Sequence, residues 1–170
     1  MSQLIKSTKY IDKKISLQIY GWIVNYEYYL NLQDLIKKNN LQKKIKFKLN
    51  IKDFVWKSEM INSHLGIALY EVKSLSHKFM FCASQKINAY IAASLPVLVT
   101  NTKDNKTFLN KYRFGFGTSL NPKHIARNIN FIFRKKNYYN FLKKNSKKKF
   151  INEFNFEKQI QKIHNQIDLN

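Results

Sequence analysis

Between Leu65 and Thr100 two short apolar runs flank one amphipathic segment, an order that few folds satisfy. The runs are Leu65-Gly66-Ile67-Ala68-Leu69-Tyr70 and Pro96-Val97-Leu98-Val99-Thr100, each the length of a buried strand and bounded by loop residues. The segment Ser84 to Ser94 places Ile87, Tyr90 and Ile91, with Leu95 after them, at helical spacing. Strand, helix and strand in that sequence predict a parallel pair with the helix laid across it through a right-handed crossover. Ligands of such open sheets sit beyond the carboxyl ends of the strands, where Tyr70 and Glu71 would lie.

The rest of the chain keeps alternating. Leu4, Ile5, Thr8 and Ile11 predict an opening helix, and Ile15 to Tyr20 alternates apolar and polar residues as a strand that turns at Gly21. Tyr28, Leu32, Leu35 and Ile36 form a second helical stripe, closed by Lys37 and Lys38, where the helix dipole favours cations. Ile45 to Phe47 reads as a strand, Ile51 to Ser63 as a helix, Asp104 to Tyr112 as a short helix, and Phe114 to Gly117 as a brief strand or turn. Asn121-Pro122 is a helix start, because Asn caps well and Pro suits the first turn. Ile125, Ile129, Ile132 and Phe133 follow at a period near 3.6. Tyr138 to Lys149, with five lysines in its last seven residues, predicts a solvated basic helix or its frayed end; Phe156, Ile160, Ile163 and Ile167 predict a terminal helix packed back on the body.

A chain of 170 residues without a repeat or low-complexity linker is expected to form a single domain, residues 1–170. One cysteine, Cys82, excludes an internal disulfide and a cysteine-rich metal site, which favours a reducing cytoplasm. The net charge of +21 points to an anionic partner. Nearly all of it is lysine, with arginine only at positions 113, 127 and 134, and it accompanies abundant Asn, Ile, Tyr and Phe, all residues of A/T-rich codons. A surface built to read phosphates or bases would use more bidentate arginine, so codon drift is the main cause of the excess, and weak attraction to an anionic membrane face follows whatever its origin. Phe114-Gly115-Phe116-Gly117 lacks the second aromatic strand of an RNA-recognition sheet.

Ser84, Gln85 and Lys86 would open the central helix. Free amides and the positive dipole end make a seat for a diphosphate there, and Lys86 adds a full charge; the same residues also describe an ordinary capped helix. Gly21 and Trp22 follow a strand, where a glycine either admits a ligand or simply turns the chain. His64, His77, His124 and His164 have no zinc spacing, and Cys82 has no base partner, so neither a metal nor a cofactor is expected; His77 falls in the loop facing the proposed cleft and could touch phosphate.

Ser84-x-Lys86-x-x-x-Tyr90 followed by Leu95-Pro96-Val97-Leu98-Val99 resembles the donor-binding half of GT-B glycosyltransferases, especially the retaining family 4 type. Against that family's Pro-x-Lys-Leu-x-Glu-Tyr-Met-Ala-x-Gly-x-Pro-Val-Ile pattern, Lys86 matches the lysine, Tyr90 the aromatic, Ala92 the alanine and Pro96-Val97 the proline-valine. The pattern's glutamate falls on Ala89, its glycine on Ser94, and an earlier glutamate on Phe81. The resemblance implies a Rossmann-like parallel sheet flanked by helices, the C-terminal half of a GT-B architecture, with extra C-terminal helices. It implies a nucleotide-sugar donor held by Gly21, Trp22, Tyr70, Glu71, Ser84, Gln85 and Lys86, and metal-independent transfer to a cell-surface polysaccharide or glycolipid. With both carboxylates replaced, and with the family's acceptor domain and first donor-domain strand not seen, the chain is expected to be incomplete and inactive alone. It would then be a truncated, split or degenerate enzyme served by a separate acceptor-binding subunit. The competing readings are a basic nucleic-acid-binding module and a non-catalytic partner subunit.

Overall fold

A computed structural model describes residues 1–71 and 84–167. His77, Phe81 and Cys82 lie outside the described residues. In chain order the described elements are α1 (Ser2–Ser7), β1 (Leu17–Gly21), α2 (Tyr26–Lys38), β2 (Ile45–Leu49), α3 (Asp53–Ile61), β3 (Gly66–Ala68), α4 (Gln85–Ala92), β4 (Val97–Thr100), α5 (Lys103–Tyr112), β5 (Gly115–Thr118), α6 (Pro122–Arg134), α7 (Lys136–Lys149), a π-helical turn (Phe150–Phe154) and α8 (Phe156–Ile167). The fold is α/β, with parallel strand pairs flanked by helices, as the alternation predicts. The chain divides into two compact units, Met1–Glu59 with Thr118–Lys135 and Met60–Gly117 with Lys136–Asn170.

In the first unit, β1 and β2 pair in parallel, with Leu17 opposite Ile45 and Gly21 opposite Leu49. The helix α2 joins them. It starts where Asn25 is extended and its side chain accepts the Tyr28 N–H at 2.7 Å, which satisfies one of the amides a first turn leaves open. Its apolar stripe buries Leu32 and Ile36 with Ile5 of α1, Leu41 and Ile45, while Tyr28 stays exposed. The Lys44 ammonium donates to the carbonyls of Thr8 (3.3 Å) and Ile11 (2.6 Å), a cation where the carbonyls past α1 need donors. The helix α6 starts at the predicted cap, Asn121 accepting the Lys123 N–H at 2.9 Å, and buries Ile125, Ala126, Ile129 and Ile132.

In the second unit the strand order is β3-β4-β5, with β3 parallel to β4 and Gly66 opposite Val97. β4 lies between two neighbours, so Val97, Leu98 and Val99 are all buried; this is why its sequence is continuously apolar rather than alternating. α4 packs on β3 and β4 through Ile87 and Ile91. Phe108, Tyr112, Phe114 and Phe154 complete the core as an aromatic cluster with ring centroids 4.4 to 6.2 Å apart.

Two expectations are corrected. α7 is not a wholly solvated helix: Leu142 and Ser146 are buried, and the Ser146 hydroxyl donates to the carbonyl of Leu95 at 2.8 Å, with that of Phe114 at 3.4 Å. The lysines occupy the remaining faces, where a helix of this composition stays hydrated. The terminal stripe does form a helix, but Phe156, Ile160, Ile163 and Ile167 are exposed. Periodicity specifies which side chains share a face; it does not specify what covers that face.

Candidate functional site

At the carboxyl edge of β3 and β4 the chain is held by side chains rather than by further strand pairing. The Tyr70 N–H donates to the Thr100 hydroxyl at 2.8 Å, and that hydroxyl donates to the Tyr70 carbonyl at 2.9 Å. One hydroxyl thus satisfies both backbone groups of Tyr70 and fixes the start of the loop after β3. The Asn105 amide donates to the Thr100 carbonyl at 2.6 Å, and Thr102 caps α5 by accepting the Asn105 N–H at 3.1 Å. The edge is therefore a polar, hydrogen-bonded platform over the buried apolar residues of β3 and β4.

The helix α4 begins beside it. Ser84 is buried and extended, and its hydroxyl accepts the Ile87 N–H at 3.4 Å. No acidic residue occupies the first turn, so the turn itself supplies no carboxylate against the positive end of the helix dipole. Gln85 and Lys86 are exposed, and the Lys86 ammonium stands 5.6 Å from the centroid of the Tyr70 ring. An exposed cation–π contact is worth about 0.5 to 1 kcal/mol, whereas a charge-assisted hydrogen bond to an anion is worth about 1.5 to 3 kcal/mol. An anionic ligand would therefore draw Lys86 off the ring at little cost.

Behind this edge α4 is locked to β3. Tyr90 is half-buried; its ring lies against Gly66, where an added Cβ would stand 2.3 Å from the tyrosine Cγ, and its hydroxyl donates to the Ile67 carbonyl at 3.4 Å. Burial, with Tyr70 a lesser contributor, pushes the Tyr90 phenol up to about 12, so it stays protonated. After α4 the chain turns through Ser94 at φ 60, with Ser94 N–H bonded to the Ile91 carbonyl and Leu95 N–H to that of Tyr90, both at 2.9 Å. This is a Schellman turn with serine where glycine is favoured.

Of the residues singled out from sequence, Tyr70, Ser84, Gln85 and Lys86 fall in one neighbourhood of the second unit, and exposed Glu71 directly follows Tyr70. Gly21 and Trp22 belong to the first unit. Gly21 has φ +157 and, among the described residues, nothing within 4 Å of where a Cβ would be; Trp22 is exposed. Thr100 and Asn105 were missed by sequence reasoning. The signal was the switch from a buried apolar run to Thr100-Asn101-Thr102, polar residues at the mouth of a central strand. Among the described residues no group of three His, Cys, Asp or Glu could hold a metal ion, and no helix is long and apolar enough to cross a membrane.

No protein-family model and no curated protein sequence matches the chain. Solved structures do. HepE from Anabaena in complex with UDP superposes with a TM-score of 0.76 at 15% identity, over 99% of this chain and 44% of that one. The same protein with UDP and glucose gives a TM-score of 0.77 at the same identity and coverage, 15%, 99% and 44%. Sucrose-phosphate synthase from Thermosynechococcus elongatus gives 0.71 at 15% identity, over 99% of this chain and 42% of that one. These are GT-B glycosyltransferases, and this chain has the fold of somewhat less than half of their length.

Proposed function

We propose that this chain is a donor-binding domain of GT-B type that holds a nucleotide-activated sugar at the carboxyl edge of β3 and β4. The observation that carries the reading is the placement of Lys86 over Tyr70 in a first turn of α4 that itself carries no acidic residue. The α4 amides and Lys86 would take the diphosphate, while Tyr70 and Glu71 would line the base or sugar. That HepE was crystallised with UDP, and with UDP and glucose, supports this choice of ligand.

In transfer, cations and helix amides would stabilise the departing diphosphate without a metal, and the sugar would pass to a cell-surface polysaccharide or glycolipid. Ala89 stands where the family pattern has a carboxylate, which supports binding without turnover by this chain alone, with a separate subunit supplying the acceptor. The net charge of +21 supports operation beside an anionic membrane face. Calorimetric titration of the purified chain with UDP, GDP and ADP tests the reading. Saturable binding of one of them is expected; no saturable binding of any of the three, or sugar release from a nucleotide sugar by this chain alone, contradicts it.

A further inference from the structure

The first unit carries an open groove of about 620 Å³ beside the outer face of α6 that the donor reading leaves unused. One wall is the chain after α1. It is pinned by Asn130, whose side-chain oxygen accepts the Asp12 N–H and whose amide donates to the Tyr10 carbonyl, both at 2.9 Å. The other wall is a stripe of α6. Lys123, Arg127, Phe131 and Arg134 recur at intervals of four, four and three residues, opposite the buried Ile125, Ile129 and Ile132. Lys135 completes the rim.

Three features of this groove point to one occupant. First, it gathers two of the chain's three arginines, although the basic excess elsewhere is lysine, so codon drift alone does not account for it. Guanidinium is the side chain suited to bidentate contact with phosphate oxygens. Second, among the described residues none of Lys123, Arg127, Arg134 and Lys135 is in an ion pair; Lys123 instead lies 5.9 Å from the centre of the Tyr10 ring. Asp12, the acid beside the groove, accepts the Lys14 N–H at 3.0 Å. Third, Tyr10 and Phe131 are each 49% exposed, which sets aromatic rings among the cations. Cations flanked by exposed aromatics suit the boundary between charged headgroups and acyl chains better than a polynucleotide.

We propose that this groove seats the phosphate of an anionic phospholipid headgroup, with Phe131 and Tyr10 entering the interface beside it. The proposal deepens the membrane part of the reading above and is independent of the nucleotide part. It is tested by sedimentation of the purified chain, at about 0.15 M salt, with vesicles of phosphatidylcholine alone or mixed with phosphatidylglycerol. Arg127→Gln/Arg134→Gln should lower partition onto the anionic vesicles by about tenfold or more, and the charge-matched Lys147→Gln/Lys148→Gln by less than about threefold. Phe131→Ser, which keeps every charge, should lower it by about threefold. Equal losses in the two double variants would overturn the site, because only the general field would then be at work. Release of the chain from vesicles by about 1 mM glycerol phosphate would overturn the lipid in favour of a free phosphate ester. A loss seen for single-stranded RNA but not for vesicles would overturn it in favour of nucleic acid. UDP titration of the Arg127→Gln/Arg134→Gln variant should match that of the unmodified chain, so failure of the groove and failure of the donor edge are read separately; a parallel loss of UDP binding would overturn the groove's independence.

Discussion

β1 closes on Gly21 and β3 opens on Gly66, and the two glycines answer different needs. At Gly21 the backbone is the constraint: φ is +157, and among the described residues no atom lies within 4 Å of a hypothetical Cβ. At Gly66 the neighbour is the constraint, since a Cβ would meet the Tyr90 ring at 2.3 Å; at Gly115 it would meet the Val97 carbonyl oxygen, also at 2.3 Å. The second unit uses glycine to bring backbone and aromatic side chains into closer contact than any other residue allows. Its sheet and α4 therefore form a stiff platform, and Ser84, Lys86 and Tyr70 are displayed on its edge. The first unit ends its strand with an unusual dihedral and open space.

The largest effect that would break this contrast is at Gly115. Gly115→Ala forces a methyl into a backbone oxygen that cannot swing aside, and should cost about 3 kcal/mol or more in urea unfolding. Gly66→Ala should cost about 2 to 3 kcal/mol, and adding Tyr90→Leu should recover at least about 1 kcal/mol of it, because the clash is with that ring. Additive losses in the pair would mean that Gly66 is required for its backbone after all.

Tyr90 gives a pH test of the same packing. Its folded pKa, about 12, lies above the ordinary phenol value of 10.0, so its contribution is fully present below pH 10 and is lost as pH rises through the folded value. Between those limits the loss amounts to about 2 to 3 kcal/mol. Unfolding measured near pH 9 and near pH 11.5 should show a steeper decline for the unmodified chain than for Tyr90→Phe. Lysine titration is common to both and cancels.

Gly21→Ala should cost less, about 1 to 2 kcal/mol, since strain is its only penalty. A loss matching that of Gly115→Ala would erase the contrast. The smallest effect has the opposite sign. Ser94 sits at φ 60 in the turn leaving α4, and Ser94→Gly should stabilise the chain by about 0.5 to 1 kcal/mol by relieving the left-handed conformation.

The order of elements was legible because each buries one face, and burial writes a period into the sequence. Ile87 and Ile91 marked α4, and Leu32 and Ile36 marked α2. Two caps were legible for a local reason too: Ser84 and Asn121 bond amides three and two residues onward. Contacts without a local rule were not legible. Thr100 holds Tyr70 from thirty residues away, and Ser146 reaches the carbonyl of Leu95 from within a lysine run that reads as solvent-exposed. The exposed stripe of α8 shows the same limit, because its face was written in the sequence and its covering was not.

The claim that rests on the stiff edge is that Lys86 acts as a site residue and not merely as one more cation. It is measured most directly by calorimetric titration of UDP into Lys86→Ala and Lys147→Ala, which remove the same charge from two exposed positions. Lys86→Ala should weaken binding by about tenfold or more, the loss of one charge-assisted contact, while shifting unfolding by less than about 0.5 kcal/mol. Lys147→Ala should leave the affinity within about twofold of the unmodified chain. Equal weakening in the two variants would mean that the field of the whole chain draws the nucleotide, and the edge formed by Tyr70, Ser84 and Lys86 would not be its site.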